Sequence, residues 1–305
     1  MGIAAPFPAQ GWPKFEEPGT RLSTRARRLI RMSAHLGRAW FEASSIAGDA
    51  DRERRQRLME RWSRATLDSL NVRVVTRGRL CPELRSSMLV ANHISWLDTC
   101  VLGSIRGARF VAKSEVRPWP VVGTTAHRLG NFFHIRGHFR DAARVKNRLA
   151  AALRAGDHIV VFPEGTTTDG CVLNPFYAAL VQAAIDAQTT VQAVAIRYTD
   201  PDGRRNDAPA FIDDLTFVDS LRRILREPEI VAELTFGEPL PAARMTRREL
   251  TDKARDFIAG ALGIPKVNAA ASWGRVSVRA VPREDRPEPA RRPNRRLPRP
   301  CSELL

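Results

Sequence analysis

The sequence predicts an α/β protein: a mixed, largely parallel sheet covered by helices and preceded by an N-terminal amphipathic helical hairpin. Three features carry this expectation. Beyond Asn71, short runs rich in Val, Ile and Phe alternate with windows of helical periodicity. Several of those runs, Ile159–Phe162 most clearly, are apolar without alternation, as expected where helices cover both faces of a strand. Before Asn71, Thr24–Leu70 contains no proline and repeats its apolar residues at helical spacing. With 305 residues the chain can bury one substantial core, two compact domains being the upper limit.

Taken in order, Met1–Ser23 is Pro-rich and reads as an extended arm. Residues 24–70 form the hairpin. Leu29, Met32, Leu36, Trp40, Ala43 and Ile46 make one apolar stripe; after a break at Gly48–Asp51, Leu58, Trp62 and Ala65, flanked by Met59 and Leu70, make another. The outer faces are strongly basic. Such a hairpin is either a helix pair docked on a core or a membrane-surface foot, with Trp and Leu entering the interface and Arg meeting lipid phosphates. Residues 71–265 form the α/β domain. Its expected strands are Val72–Thr76, Met88–Ala91, Arg109–Ala112, Phe132–Ile135, His158–Phe162, Thr190–Tyr198 and Ile230–Phe236. Its expected helices are Trp96–Ser104, Val121–Leu129, Asp141–Ala155, Pro175–Ala187, Leu215–Arg226 and Thr246–Leu262. Residues 266–305 are Arg- and Pro-rich, a composition that buries no core and predicts disorder.

The charge narrows the function classes. Lys plus Arg number 49 against 33 Asp plus Glu, a net charge of +16, and only five of the basic residues are lysines. This is either a bias towards arginine on a solvated surface or attraction to an anionic one, nucleic acid or membrane; charge alone does not choose. The four cysteines are widely spaced, with no C-x-x-C pair, which argues against a zinc site or disulfide framework and for reduced thiols in the cytosol. No metal site is expected. Met1–Thr20 lacks the apolar segment of a secretory signal. No run of about 18 apolar residues could span a bilayer.

Two short stretches carry the chemistry: N-H-I-S-W-L-D at Asn92–Asp98 and F-P-E-G-T-T at Phe162–Thr167. On an ideal helix residues i and i+5 lie about 140° apart. His93 and Asp98 therefore meet only if His93 sits in a turn and Asp98 in the first helical turn after it. A strand–turn–helix unit supplies that arrangement at the carboxyl edge of a sheet, where α/β proteins place their sites. A carboxylate on one ring nitrogen fixes the tautomer and leaves the other as general base. In the second stretch Gly165 permits positive φ or close backbone approach, Thr166 and Thr167 supply hydroxyl and amide donors, and Glu164 is a carboxylate placed in a tight turn. Glu164 is either a ligand-facing group or a turn residue bonded to local amides.

N-H-x-S-x-x-D followed about seventy residues later by F-P-E-G-T resembles the glycerolipid acyltransferase family, which includes the 1-acylglycerol-3-phosphate acyltransferases. Phe110-Val111-Ala112-Lys113 is similar to the family's strand carrying a lysine, and Gly130–Arg136 to its G-x-x-F-x-x-R block. Val191–Ile196 is similar to its late apolar strand but lacks the usual proline. The likeness spans roughly Val72 to Leu240, and the hairpin is like the membrane-docking helix pair of bacterial members.

The resemblance implies that His93 deprotonates an acceptor hydroxyl, which attacks the thioester of acyl-CoA or acyl-carrier protein directly, with Asp98 orienting the ring. No G-x-S-x-G nucleophile elbow is present. It implies that Lys113 and Arg136 bind the acceptor's anionic head and that Glu164, Gly165 and Thr166 shape its pocket, with Asn92, Ser95 and Thr167 supporting. No tightly bound cofactor is expected. The expected partners are a lysolipid, the acyl donor and the anionic cytoplasmic face of the inner membrane, held peripherally, and no nucleic acid. The expected acceptor is 1-acyl-sn-glycerol 3-phosphate, giving phosphatidic acid in phospholipid biosynthesis. One departure bears on this. Many phosphatidic-acid-forming members read E-G-T-R, whereas this chain has Thr167. That version is similar to enzymes that acylate lyso-ornithine lipid, the alternative acceptor. The rival classes are a thioester hydrolase using the same dyad on water and a basic nucleic-acid binder, although no helix-turn-helix, zinc-finger or RNP-type motif accompanies the charge.

Overall fold

A computed structural model describes residues 19–45, 52–81, 86–119, 122–134, 139–212 and 214–267. Most of the expected arm, Ile46 of the first stripe, the Gly48–Asp51 break, Arg136 and all but the start of the expected tail lie outside the described residues. The elements run α1 (Leu22–Ser44), α2 (Arg52–Leu70), β1 (Val72–Arg77), β2 (Ser87–Ala91), α3 (Leu97–Ile105), β3 (Arg109–Lys113), α4 (Val122–Arg128), β4 (Phe132–His134), α5 (Phe139–Arg154), β5 (His158–Val161), α6 (Gln182–Asp186), β6 (Thr190–Thr199), α7 (Phe217–Arg226), β7 (Ile230–Phe236), β8 (Leu240–Pro241) and α8 (Arg247–Leu262).

The sheet has the order β1-β7-β6-β2-β5-β3-β4, with β8 also on β6. β2, β5, β3, β4 and β6 run parallel, while β7 and β8 are antiparallel to β6 and β1 is parallel to β7. This is the mixed, largely parallel sheet expected. β2 lies at its centre with every residue buried. Its Leu89 and Ala91 enter the core beneath α1, α2, α3 and α7, whereas Met88 and Val90 enter the one beneath α5, α6 and α8. Helices on both faces explain why the strand carries no polar alternation.

The hairpin docks by close approach. A Cβ at Gly107 would lie 2.2 Å from the Gln56 carbonyl, and one at Gly103 would lie 2.6 Å from Ser63 Oγ, so glycine lets α2 rest on α3 and the turn that follows it. A buried ion cluster adds to this. Asp157 accepts from Arg55 of α2 at 2.7 Å and from Arg109 of β3 at 2.8 Å.

Two expectations are corrected. The α1 stripe is rotated: Met32, Ala39 and Ala43 are buried with Arg28, while Leu29 and Trp40 are 42% and 41% exposed. Alanines let the helix approach its neighbours closely, and Arg28 is drawn inward by the carbonyls of Glu227 and Pro228, 2.7 Å from each. The expected helix Pro175–Ala187 is confined to α6. The stretch before it is tied elsewhere: Leu173 bridges Lys266, and the Tyr177 N–H donates to the Pro163 carbonyl of the P-E-G turn at 2.8 Å. Among the described residues no helix is long and apolar enough to cross a membrane.

Candidate active site

The carboxyl ends of β2 and β5 deliver the two motifs to one edge of the sheet. Past the end of β2, Asn92 substitutes for a strand residue: its side chain donates to the Ile196 carbonyl at 2.9 Å and accepts from the Ile196 N–H at 2.8 Å. His93 therefore starts a turn held rigidly against β6. Asp98 lies in the first turn of α3, where the helix N-terminus favours a carboxylate. Its Oδ2 accepts from His93 Nδ1 and from the Ile94 and Ser95 backbone N–H groups at 2.8, 2.8 and 2.9 Å. Ser95 Oγ accepts the Leu97 N–H at 3.2 Å and so shapes the same turn. Because an ionised carboxylate only accepts, Nδ1 carries the proton and Nε2 presents a lone pair. The ring stacks on Phe162, centroids 4.1 Å apart and planes 13° from parallel, with Phe110 behind it.

The P-E-G turn grips the same backbone. Glu164, 3% exposed, accepts the His93 N–H through Oε1 at 2.8 Å and the Asn174 N–H through Oε2 at 3.0 Å. The Thr168 N–H donates to the His93 carbonyl at 2.8 Å. Gly165 makes the turn possible with φ at +67°. Thr167 Oγ1 donates to the Phe211 carbonyl, and the Phe211 N–H in turn donates to the Ile94 carbonyl at 2.9 Å. Burial pushes the Glu164 carboxyl up to about 7; the Asp98 charge adds to that rise, while the two N–H donors and the Arg255 guanidinium oppose it.

Of the residues singled out from sequence, Asn92, His93, Ser95, Asp98, Glu164, Gly165, Thr166 and Thr167 come together here. Lys113 ends β3 at the same sheet edge, in register with His134 of β4, which bonds Asp141 at 3.0 Å. Arg136 lies outside the described residues. Sequence reasoning missed four contributors. Tyr198 donates to Asp98 Oδ1 at 2.7 Å, Phe162 stacks on the imidazole, Asn174 completes the Glu164 clasp, and Arg255 holds Asn174. Phe162 lies in the second motif and Asn174 ten residues past Glu164, but their roles, like those of Tyr198 and Arg255 at 100 and 81 positions from their partners, are set by tertiary contacts. Among the described residues no cluster of three or more His, Cys, Asp or Glu could hold a metal ion.

The chain is similar to known proteins. A family model described as Acyltransferase matches residues 73–197. The chain is 36% identical to a 1-acyl-sn-glycerol-3-phosphate acyltransferase of Neisseria meningitidis, over 77% of this chain and 92% of that one. It is also 36% identical to a lyso-ornithine lipid O-acyltransferase of Pseudomonas aeruginosa, over 79% of this chain and 93% of that one. Its fold matches the crystal structure of a 1-acyl-sn-glycerophosphate acyltransferase of Thermotoga maritima, with a TM-score of 0.61 and 19% identity, covering 79% and 94% of the two chains. With its dyad, its turn and its sheet accounted for together, the chain belongs to the acyltransferase family and is an acyltransferase enzyme.

Proposed function

We propose that the protein moves a fatty acyl group from acyl-CoA or acyl-carrier protein to the hydroxyl of a lysolipid, with His93 as general base. The single observation that carries this reading is the 2.8 Å bond from His93 Nδ1 to a fully buried Asp98, which commits one ring nitrogen and turns the other towards chemistry. His93 Nε2 takes the proton of the lysolipid hydroxyl as its oxygen bonds to the thioester carbonyl carbon. Collapse of the tetrahedral species breaks the C–S bond, and the imidazolium returns its proton to the leaving thiolate. Lys113 and Arg136 hold the anionic head, with Arg136 capable of a two-point grip. Gly165 and Thr166 form the facing wall, and Glu164 holds the His93 backbone.

The outer surface of α1 supports peripheral docking on an anionic membrane, at the cytoplasmic face of the inner membrane. Leu22, Leu29, Ile30, Trp40 and Phe41 are exposed on an arc without charge, bordered by Arg27, Arg31 and Arg38. We assign residues 24–70 to this docking hairpin and 71–265 to catalysis.

The first acceptor reading is 1-acyl-sn-glycerol 3-phosphate. A second, lyso-ornithine lipid, is favoured by Thr167 standing where an arginine would add a phosphate contact. The test is a purified-enzyme assay offering both lysolipids side by side with one thioester donor, for the parent and for His93→Ala. Acceptor-dependent acyl transfer by a parent enzyme that His93→Ala abolishes, without loss of fold, is the expected result. Comparable activity in the variant would remove the proposed base, and free acid released without an acceptor would make the protein a hydrolase.

A further inference from the structure

We infer that Tyr198 is a positioning residue that sets the strength of the His93–Asp98 base by donating its hydroxyl to Asp98. The inference rests on His93 being that base. Its ground is the way β6 overruns β2. The two strands stay in register up to Ala91 and Val194, after which β2 ends while β6 continues to Thr199. Ile196 and Tyr198 both enter the core on the α3 side. Tyr198 thereby reaches under the His93 turn, and its hydroxyl stands 2.7 Å from Asp98 Oδ1.

The carboxylate then has a full set of donors. Oδ2 takes His93 Nδ1 and two backbone N–H groups, and Oδ1 takes the phenol. Four donors match the roughly four lone-pair sites of an ionised carboxylate. Asp98 is fully buried and Tyr198 is 3% exposed, so bulk water does not reach the bond. A phenol in this position draws negative charge away from the histidine side of Asp98 and weakens its hold on an imidazolium. Burial, and then the Asp98 charge, push the Tyr198 hydroxyl well above its usual range, so it stays a donor throughout the working pH. The other titratable groups facing the pair are Glu164 on the P-E-G turn, Cys100 on α3 and, behind Glu164, Arg255 on α8. All of them remain when the phenol is altered.

The test uses the direction of the pH profile in the full chain. The protein holds two tyrosines, and Tyr177 is exposed, so a Tyr177→Phe background leaves Tyr198 alone. In that background Tyr198→Phe should leave the acceptor KM little changed, since the phenol touches Asp98 and not the acceptor. It should also move the acid limb of kcat/KM upward by about half a unit to one unit. Biosynthetic replacement of Tyr198 by 3-fluorotyrosine, a more acidic phenol and stronger donor, should move the limb downward. The fluorinated enzyme keeps the hydroxyl and its packing, so it carries the test if the Phe variant does not fold. An acid limb unmoved in the fluorinated enzyme, with His93→Ala inactive, overturns the inference and leaves the base assignment standing. An active His93→Ala enzyme overturns both.

Discussion

Glu164 Oε1 accepts the backbone N–H of His93 at 2.8 Å across 71 positions of sequence. The contact makes the P-E-G turn a clasp on the base rather than only a wall of the pocket. A glutamine here keeps the shape but must turn an N–H₂ towards one of two backbone donors, leaving a buried donor unmatched. Glu164→Gln should therefore lower kcat and destabilise the fold by about 1–3 kcal/mol. The measurement is kcat together with urea denaturation; parent-like values for both would show that the clasp is dispensable.

The same carboxyl predicts a pH dependence. Its folded value of about 7 lies above its ordinary value of 4.5, so the native state binds more protons than the unfolded chain between those limits. The neutral carboxyl's contribution is complete below about pH 4.5 and is lost as pH rises through about 7. The advantage of the parent over Glu164→Gln should accordingly shrink by roughly 3 kcal/mol at most between pH 5 and pH 8. Denaturation midpoints of the two proteins at both pH values measure it, and a gap that widens would reverse the sign of this account.

Much of this was legible in sequence, and the rest was hidden for definite reasons. β7 forms over Ile230–Phe236 as read, because Ile230, Ala232, Leu234 and Phe236 alternate into one core while Glu233 and Thr235 stay part-exposed, a pattern that pins the register. The His93–Asp98 contact follows from chain geometry within six residues. The failures are tertiary. The stretch before α6 is tied to distant residues, Leu173 to Lys266 and the Tyr177 N–H to the Pro163 carbonyl, and the helix is short. The buried side of α1 is set by alanines and an arginine, which a hydrophobic stripe cannot reveal. Tyr198 meets Asp98 only because β6 outlasts β2.

The exposed face of α1 gives a membrane prediction. Deleting the whole hairpin is a poor probe, since Leu58, Leu67 and Leu70 of α2 belong to the main core. Ile30 and Phe41 are 69% and 72% exposed and can be changed singly. Ile30→Glu and Phe41→Glu should each weaken binding to anionic vesicles about tenfold or more, the loss expected when one large apolar side chain leaves the interface. Stability should stay within about 0.5 kcal/mol. Vesicle sedimentation and thermal melts check the two halves; undiminished binding would move the docking surface elsewhere.

Asp157 separates fold from chemistry. It stands before β5, between Arg55 and Arg109, and the far end of β5 leads to Phe162. Removing one partner of a buried ion pair typically costs about 3–5 kcal/mol, because the other charges stay buried. Asp157→Ala should lose that much stability. The substitution lies five strand residues, about 16 Å, from Phe162, on which the base stacks, so kcat per folded molecule should remain within about twofold. Denaturation and active-fraction-corrected kinetics distinguish this from a direct role in the reaction.

Thr167 offers the sharpest test of acceptor choice. Its hydroxyl ties the P-E-G loop to the Phe211 carbonyl, so replacing it costs one neutral hydrogen bond, about 1 kcal/mol of stability. An arginine at this position adds a cation beside the turn, capable of a charge-assisted contact with a phosphate dianion, whereas the zwitterionic ornithine head sets a single carboxylate against an ammonium that the arginine repels. Such a contact is worth about 1.5–3 kcal/mol, or roughly 10- to 100-fold in relative kcat/KM. Thr167→Arg should therefore raise the ratio of activity on lysophosphatidic acid to activity on lyso-ornithine lipid by at least about tenfold. The ratio cancels any general loss of active enzyme, so a modest cost in stability does not obscure it. If the ratio stays fixed while both activities survive, position 167 does not select the head group, and the selection rests with Lys113 and its neighbours on the β3–β4 edge.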